Sequence, residues 1–207
     1  TKTNNIMNLF RKFCCSLLAV GALYSAANAQ VHSIGPSIGA NFSNVSSMDN
    51  NDYRPGVNVG IVYNYSRHQH LGFGLGAHYS QEGISLDNET STRLDYLRIP
   101  VKFQYFGGNP ESAFRPKAYF GPSVGVLLDA REKTTPTTTG RFNIGDPNYN
   151  TLDLGLVGGV GFNYRIMPST WLNFDVAYTH GLTDISKAAP TNRNRNVNVN
   201  LGVAWGF

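Results

Sequence analysis

Apolar side chains recur at every second position through most of the chain, most regularly at its C-terminal stretch, residues 196–207 (NVNVNLGVAWGF). There Val197, Val199, Leu201, Val203, Trp205 and Phe207 share one parity, and Asn198, Asn200, Gly202, Ala204 and Gly206 share the other. A period of two without a slip is the signature of a strand with two unlike faces. The stretch is longer than the ~5–6 residues usual for a globular strand and suits the ~9–11 residues of a tilted strand crossing a bilayer.

The same alternation predicts seven further strands, at 32–42, 56–65, 71–82, 94–105, 117–129, 152–165 and 171–182. In the first, Ile34, Ile38, Ala40 and Phe42 oppose Gly35, Ser37, Gly39 and Asn41. In the fourth, Leu97, Ile99, Val101, Phe103 and Tyr105 oppose Tyr96, Arg98, Lys102 and Gln104. The polar connections alternate in length: 43–55, 83–93, 130–151 and 183–195 are long, and 66–70, 106–116 and 166–170 are shorter on average. Lipid tolerates no open sheet edge, so these strands predict an all-β fold, an eight-stranded antiparallel up-and-down transmembrane β-barrel. Both termini then lie at the short-turn, periplasmic end. Pro36, Pro100 and Pro122 fall inside predicted strands, where each removes a ladder donor, and are read as bulges or strand-end kinks.

Alternation does not say which face is outside, and a soluble lipocalin-like barrel has the same period. The polar parity settles the expectation, because it carries 14 of the 22 glycines. A solvated strand face would instead carry Thr, Lys and Glu. A narrow barrel needs small residues inside so that larger polar ones fit, which makes the Gly/Asn face a filled polar lumen. Tyr63, Tyr65, Phe103, Tyr105, Phe162, Tyr164, Trp205 and Phe207 all fall on the apolar parity near predicted periplasmic ends, where an interfacial girdle belongs.

The front of the chain changes the reading of charge. Arg11 and Lys12 precede an apolar run, 13–24, and then Ala27-Asn28-Ala29, the three parts of a secretory signal peptide. Residues 1–29 are expected to be upstream sequence plus a cleaved signal, and 30–207 the barrel domain. Three of the 17 Lys and Arg residues and none of the 13 acids lie before residue 30, so the net charge falls from +4 to about +1 on cleavage. The basicity belongs to the export signal, and no nucleic-acid partner is expected. Cys14 and Cys15 leave with it, which removes disulfide, thiolate-metal and cysteine-nucleophile chemistry from 30–207.

Five stretches in order, YLRIPVKFQY (96–105), YFGPSVGV (119–126), LGLVGGVGFNY (154–164), AYTHGLTDI (177–185) and the last strand ending in Phe207, resemble the PorT-like outer-membrane β-barrel family. The resemblance implies an integral outer-membrane barrel inserted with help from the barrel-assembly machinery, which reads a terminal aromatic. Some members of that family are tied to protein secretion.

Candidate chemistry is sparse. The lumen parity collects Glu82, Arg98, Lys102, Lys117, Asp129, Asp153, Arg165 and Asp175, expected to form ion pairs that plug the barrel; a gated or proton-conducting path is the alternative. His180, Asp184 and Ser186 gather at the outer end of the seventh strand, but hydrolytic catalysis needs them within hydrogen-bond reach, and no serine shares the histidine's face. His68 and His70 suggest a metal pair with no third ligand. Residues 49–52 (DNND) lack the glycine and distal glutamate of a calcium loop, and TTPTTT (134–139) reads as a mobile loop tip. No catalytic, cofactor-binding or metal set is therefore assigned. The expected role is structural or interactive, with assistance to secretion or surface binding included, in outer-membrane lipid. A protein partner is expected at the outer loops or periplasmic turns. A lipid-modifying enzyme and a soluble ligand-binding barrel stand as alternatives.

Overall fold

The computed structural model describes residues 32–45, 53–66, 68–85, 90–134, 138–143, 149–185 and 192–207. These residues form nine antiparallel strands. They are β1 (His32–Val45), β2 (Arg54–Tyr65), β3 (Leu71–Ser85), β4 (Thr90–Phe106), β5 (Phe114–Thr134), β6 (Thr138–Asn143), β7 (Leu152–Met167), β8 (Thr170–Gly181) and β9 (Asn194–Gly206). Each of the eight long strands pairs with its neighbour in sequence. β9 pairs back onto β1, from Val45↔Asn194 to Ser33↔Gly206, and closes the barrel. β6 pairs with the far end of β5, from Asp129↔Asn143 to Thr134↔Thr138, and is not a stave of the wall.

The apolar parity faces out. Ile38, Ile61, Phe120 and Val160 are 57–68% exposed, and similar side chains cover every stave. A soluble barrel would bury this parity, so the lipocalin-like alternative is excluded. A continuous apolar belt of this size needs lipid. The aromatic girdle runs around its periplasmic side. His32 stacks on Phe207 at 5.8 Å and shares a 2.6 Å hydrogen bond with the Tyr63 hydroxyl. Further round, Phe103 lies 5.8 Å from both Phe73 and Phe120, and Phe162 sits between Phe114 and Phe174 at 5.2 and 5.4 Å.

The prolines correct the expectation of bulges. Register runs unbroken past all three. What lapses is a pair or so of rungs, always on the side where the proline lacks its N–H: Gly35–Pro36 against β9, Ile99–Pro100 against β3, and Gly121–Pro122 against β4. A glycine lies at or opposite each lapse, Gly35, Gly76 and Gly121. At Gly121 a Cβ would overlap the Val101 carbonyl oxygen, so the two backbones approach more closely than any side chain permits.

True register shifts occur elsewhere, at Asp95/Tyr96 opposite β5 and at Arg165/Met167 opposite β8. The first changes a charge assignment. Leu127 and Ala130, of opposite parity, are both buried on the inner side, and Asp129 pairs with Asp95 on the outer one. Asp129 is therefore not a lumen residue. The connections 83–93 and 130–151 are also corrected, because β3 runs to Ser85, β4 begins at Thr90, β5 runs to Thr134 and β6 lies within the second of them. Beyond the membrane no apolar face is required, so the alternation fades while the backbone ladder continues. Thr134 and Thr138, read as part of a mobile tip, are paired strand residues.

These contacts set a sharp contrast between two glycines. Gly121→Leu should cost about 3 kcal/mol or more, by forcing β4 and β5 apart. Gly158 lies on the lipid face, and a Cβ added there would have its nearest neighbour, the Tyr119 carbonyl oxygen, at 3.8 Å. It should accept Ala within about 0.5 kcal/mol. Urea unfolding in detergent micelles, followed by Trp171 and Trp205 fluorescence, measures both.

Candidate functional site

The wall turns eight rows of side chains inward, and the inner space is filled. Its densest part is a charged cluster in the outer half. Arg98 donates through Nε and Nη2 to the two Glu82 carboxylate oxygens at 2.7 and 2.6 Å, and through Nη2 to Asp153 Oδ2 at 2.6 Å. Ser80 donates to Glu82 at 2.7 Å, Asn194 Nδ2 donates to the other Glu82 oxygen, and Thr183 donates to Asp153 at 3.2 Å. Glu82 and Asp153 are fully buried. One guanidinium thus joins β3, β4 and β7, with β9 and the loop after β8 attached through Asn194 and Thr183. Arg98 also lies 4.8 Å over the Tyr96 ring. Gly125 makes this possible, since a Cβ there would meet Arg98 Nη1 at 2.8 Å. Two acids about one base is a charge excess, offset by the hydroxyl and amide donors around it.

Nearer the periplasm, Lys117 Nζ pairs with Asp175 at 3.0 Å, and Lys102 Nζ sits 4.5 Å over the Tyr119 ring. Asn58 donates to Asn200 at 3.0 Å and Gln104 to Asn64 at 2.8 Å. Six of the eight charges assigned to the lumen by parity thus lie in these two groups. Asp129 is outside, and Arg165 stands at the periplasmic mouth against Trp171, 5.5 Å away.

An apolar cap closes the outer mouth, and the sequence pattern did not reveal it. Leu94, Tyr96, Leu127, Ala130 and Ile185 form one buried cluster, with Tyr149 against it. Ile185 arrives from the loop after β8. The segment is pinned by Asn150 N–H donating to the Ile185 carbonyl at 3.0 Å and by Ile185 N–H donating to the Asn192 carbonyl at 2.9 Å. The available signal was the placing of Leu94, Tyr96 and Leu127 on the polar parity. With the cap above the charged cluster, the lumen is closed twice, which disfavours the conducting path.

The remaining sequence candidates do not assemble into chemistry. His180 is half-buried on the outer face with its Nδ1 3.3 Å from the Tyr178 hydroxyl, while the Asp184 carboxylate accepts the Asn192 N–H at 2.9 Å. Ser186 and residues 49–52 lie outside the described residues. His70 Nδ1 donates to the Phe106 carbonyl at 2.9 Å, so that nitrogen is committed as a donor. No cluster of three metal-ligating side chains occurs among the described residues.

A barrel with an apolar belt, an aromatic girdle and a plugged polar lumen is a transmembrane outer-membrane barrel by its geometry. A family model described as "Outer membrane protein beta-barrel domain" matches residues 28–187, and the chain belongs to that family. The protein resides in the cell outer membrane. Its fold is similar to that of Neisserial surface protein A, with a TM-score of 0.57 and 15% identity over 87% of this chain and 100% of that one. It is also similar to OprG of Pseudomonas aeruginosa, with a TM-score of 0.53 and 18% identity over 88% and 98% of the two chains. A major outer membrane protein of Thermus thermophilus gives a TM-score of 0.53 and 14% identity over 85% and 99%. At these identities the likeness is one of fold. A search of curated proteins finds no match.

Arg98→Met should destabilise the barrel by about 3–5 kcal/mol, because it leaves two buried carboxylates without their cation. Combining it with Glu82→Gln and Asp153→Asn should recover a large part of that loss, and the difference between single and triple variants in urea unfolding measures the coupling.

Proposed function

We propose that the protein is a non-catalytic outer-membrane barrel with a structural and interaction role, exercised by the parts that project outward. The observation that carries this is the length of β5. It has 21 residues, whereas a tilted strand crosses the bilayer in ~9–11. Its outer end continues into the β5–β6 hairpin and pairs on the other side with the start of β4, so a small sheet stands above the membrane surface. Among the described residues β6 pairs only with β5, which leaves one ladder edge for an extended segment of a partner.

Among the described residues His180 and Asp184 are engaged apart, His180 with the Tyr178 hydroxyl and Asp184 with the Asn192 N–H. Surface binding and assistance to a secretion complex both fit an outward sheet, and the resemblance to PorT-like barrels favours the second. Export through residues 1–29, with the barrel beginning at residue 30, and insertion with help from the barrel-assembly machinery belong to the same reading.

Replacing residues 131–146 with a short Asn-Gly turn should leave the barrel folded and inserted but remove its crosslinked partners. Crosslinking and pull-down from intact outer membranes, comparing wild type with the shortened chain, tests this. An unchanged set of partners, or none with the wild type, contradicts it.

A further inference from the structure

We propose that the periplasmic mouth of the barrel is a binding site for the carboxylate end of a short peptide. A cavity of about 320 Å³ opens there, between the β2–β3, β4–β5 and β7–β8 turns. It sits at the low end of the ~300–1,000 Å³ of small-ligand pockets. Inward it adjoins a small void that shares Asn64 and Asn173 with it. Beyond that lies one more small void of about 40 Å³ reaching Glu82 and Arg98, where the Glu82–Arg98–Asp153 cluster and then the apolar cap close the lumen. The cavity is therefore blind and reached only from the periplasm. That geometry is what a bound end of a chain requires, and a conducting path does not.

The walls select an anion. Arg115 on β5 and Arg165 on β7 are near neighbours, since Arg115 pairs with Asn163, two positions before Arg165. Arg115 lies 4.8 Å over the Phe106 ring, and Arg165 lies 5.5 Å from that of Trp171. Each guanidinium donates one N–H to a turn carbonyl, Arg115 to Gln69 and Arg165 to Glu111. Stacking and this single bond orient each fork while leaving other N–H groups unengaged. Arg115 Nε is buried without a partner. His32 and His68 add no negative charge, and among the described residues Glu111 is the one acid on the rim. Two guanidiniums on adjacent strands, each held against its own aromatic ring and both lining the cavity, match a carboxylate, which accepts such forks bidentately.

The floor selects what must follow the carboxylate. Asn173 is 4% exposed, lines the cavity, and has no partner for either its Oδ1 or its Nδ2. Asn163 Oδ1 beside it is also unpartnered. A buried side-chain amide with both ends open is unusual in a folded protein. It complements a peptide group, which presents one acceptor and one donor. The ligand class is thus a carboxylate attached to peptide amides. Two periplasmic sources share that chemistry, the C-terminus of a protein and the stem peptide of the cell wall.

Calorimetric titration of the detergent-solubilised full barrel separates the outcomes. The probes are acetyl-Lys-Ala-Ala of L-residues as the free acid, the same peptide amidated, and acetyl-L-Lys-D-Ala-D-Ala as the free acid. The free acid should bind, and amidation or Arg165→Gln should each weaken it by about tenfold or more, the value of a charge-assisted hydrogen bond. Asn173→Asp should abolish binding by placing a carboxylate on the floor, with circular dichroism reporting that each variant is folded. A preference for the D-terminated peptide assigns the cell wall as source, a preference for the L-peptide assigns a protein terminus, and equal binding supports the shared chemistry. The proposal is overturned if acid and amide bind alike, or if a folded barrel binds neither free acid up to about 10 mM. A mouth that holds only water gives that last result.

Discussion

An unpaired backbone N–H or C=O in hydrocarbon costs several kcal/mol because no water is there to replace its partner, so a strand in lipid needs a paired strand on each side. In this chain that condition converges on the ladder between β1 and β9. Eleven Cα partner pairs join the first strand to the last, and without them both would present an open edge to lipid. The remaining design follows from keeping that ladder closed. Each proline lies where a rung or two can lapse without shifting register, and a glycine at or opposite the lapse lets the neighbouring backbones draw together.

Closing eight strands leaves a narrow interior, and its contents are dictated by volume as much as by charge. Arg98 is accommodated above Gly125, and the Tyr119 ring reaches across to Gly159, where a Cβ would meet its hydroxyl at 2.6 Å. The charged cluster is costly to assemble in such a space, since three ions lose their water at once. It is retained as a cross-brace between staves, and the apolar cap of Leu94, Tyr96, Leu127, Ala130 and Ile185 shields it from the outer solvent. The two ends of the molecule therefore differ. Sheet projects from the outer end above a sealed mouth, and the periplasmic end opens into a blind polar cavity.

Most of the wall was legible in the sequence because lipid enforces a period of two. Val197 to Trp205 and Ile34 to Phe42 are outside as their parity predicts, and Asn41, Asn58, His78 and Asn198 are buried within. Legibility ends where lipid ends. Past the membrane the chain keeps its ladder without its alternation, so a period of two does not mark Thr90, Thr134 and β6 as strand. Parity misplaces Asp129 for a local reason, because a one-residue bulge opposite Asp95 reverses every later side chain and leaves no mark in composition. Pairings across the lumen, such as Arg98 with Asp153, depend on the curvature of the closed wall. Parity named the participants but not the partners. The periplasmic cavity stayed hidden for the same reason, since Arg115, Arg165 and Asn173 meet only when β5, β7 and β8 stand side by side.

The central claim is that one parity meets lipid and the other a filled lumen, and the last strand tests it most directly. Residues 30–207 contain no cysteine, so single variants can be labelled without background. Spin labels at Val199→Cys, Leu201→Cys, Asn198→Cys and Asn200→Cys, in barrels reconstituted into bilayers, report collision with oxygen dissolved in lipid and with a water-soluble nickel complex. Positions 199 and 201 should show high oxygen and low nickel accessibility, and positions 198 and 200 should be immobilised and poorly accessible to oxygen. Equal oxygen accessibility on the two parities, or higher values at 198 and 200, would contradict the account.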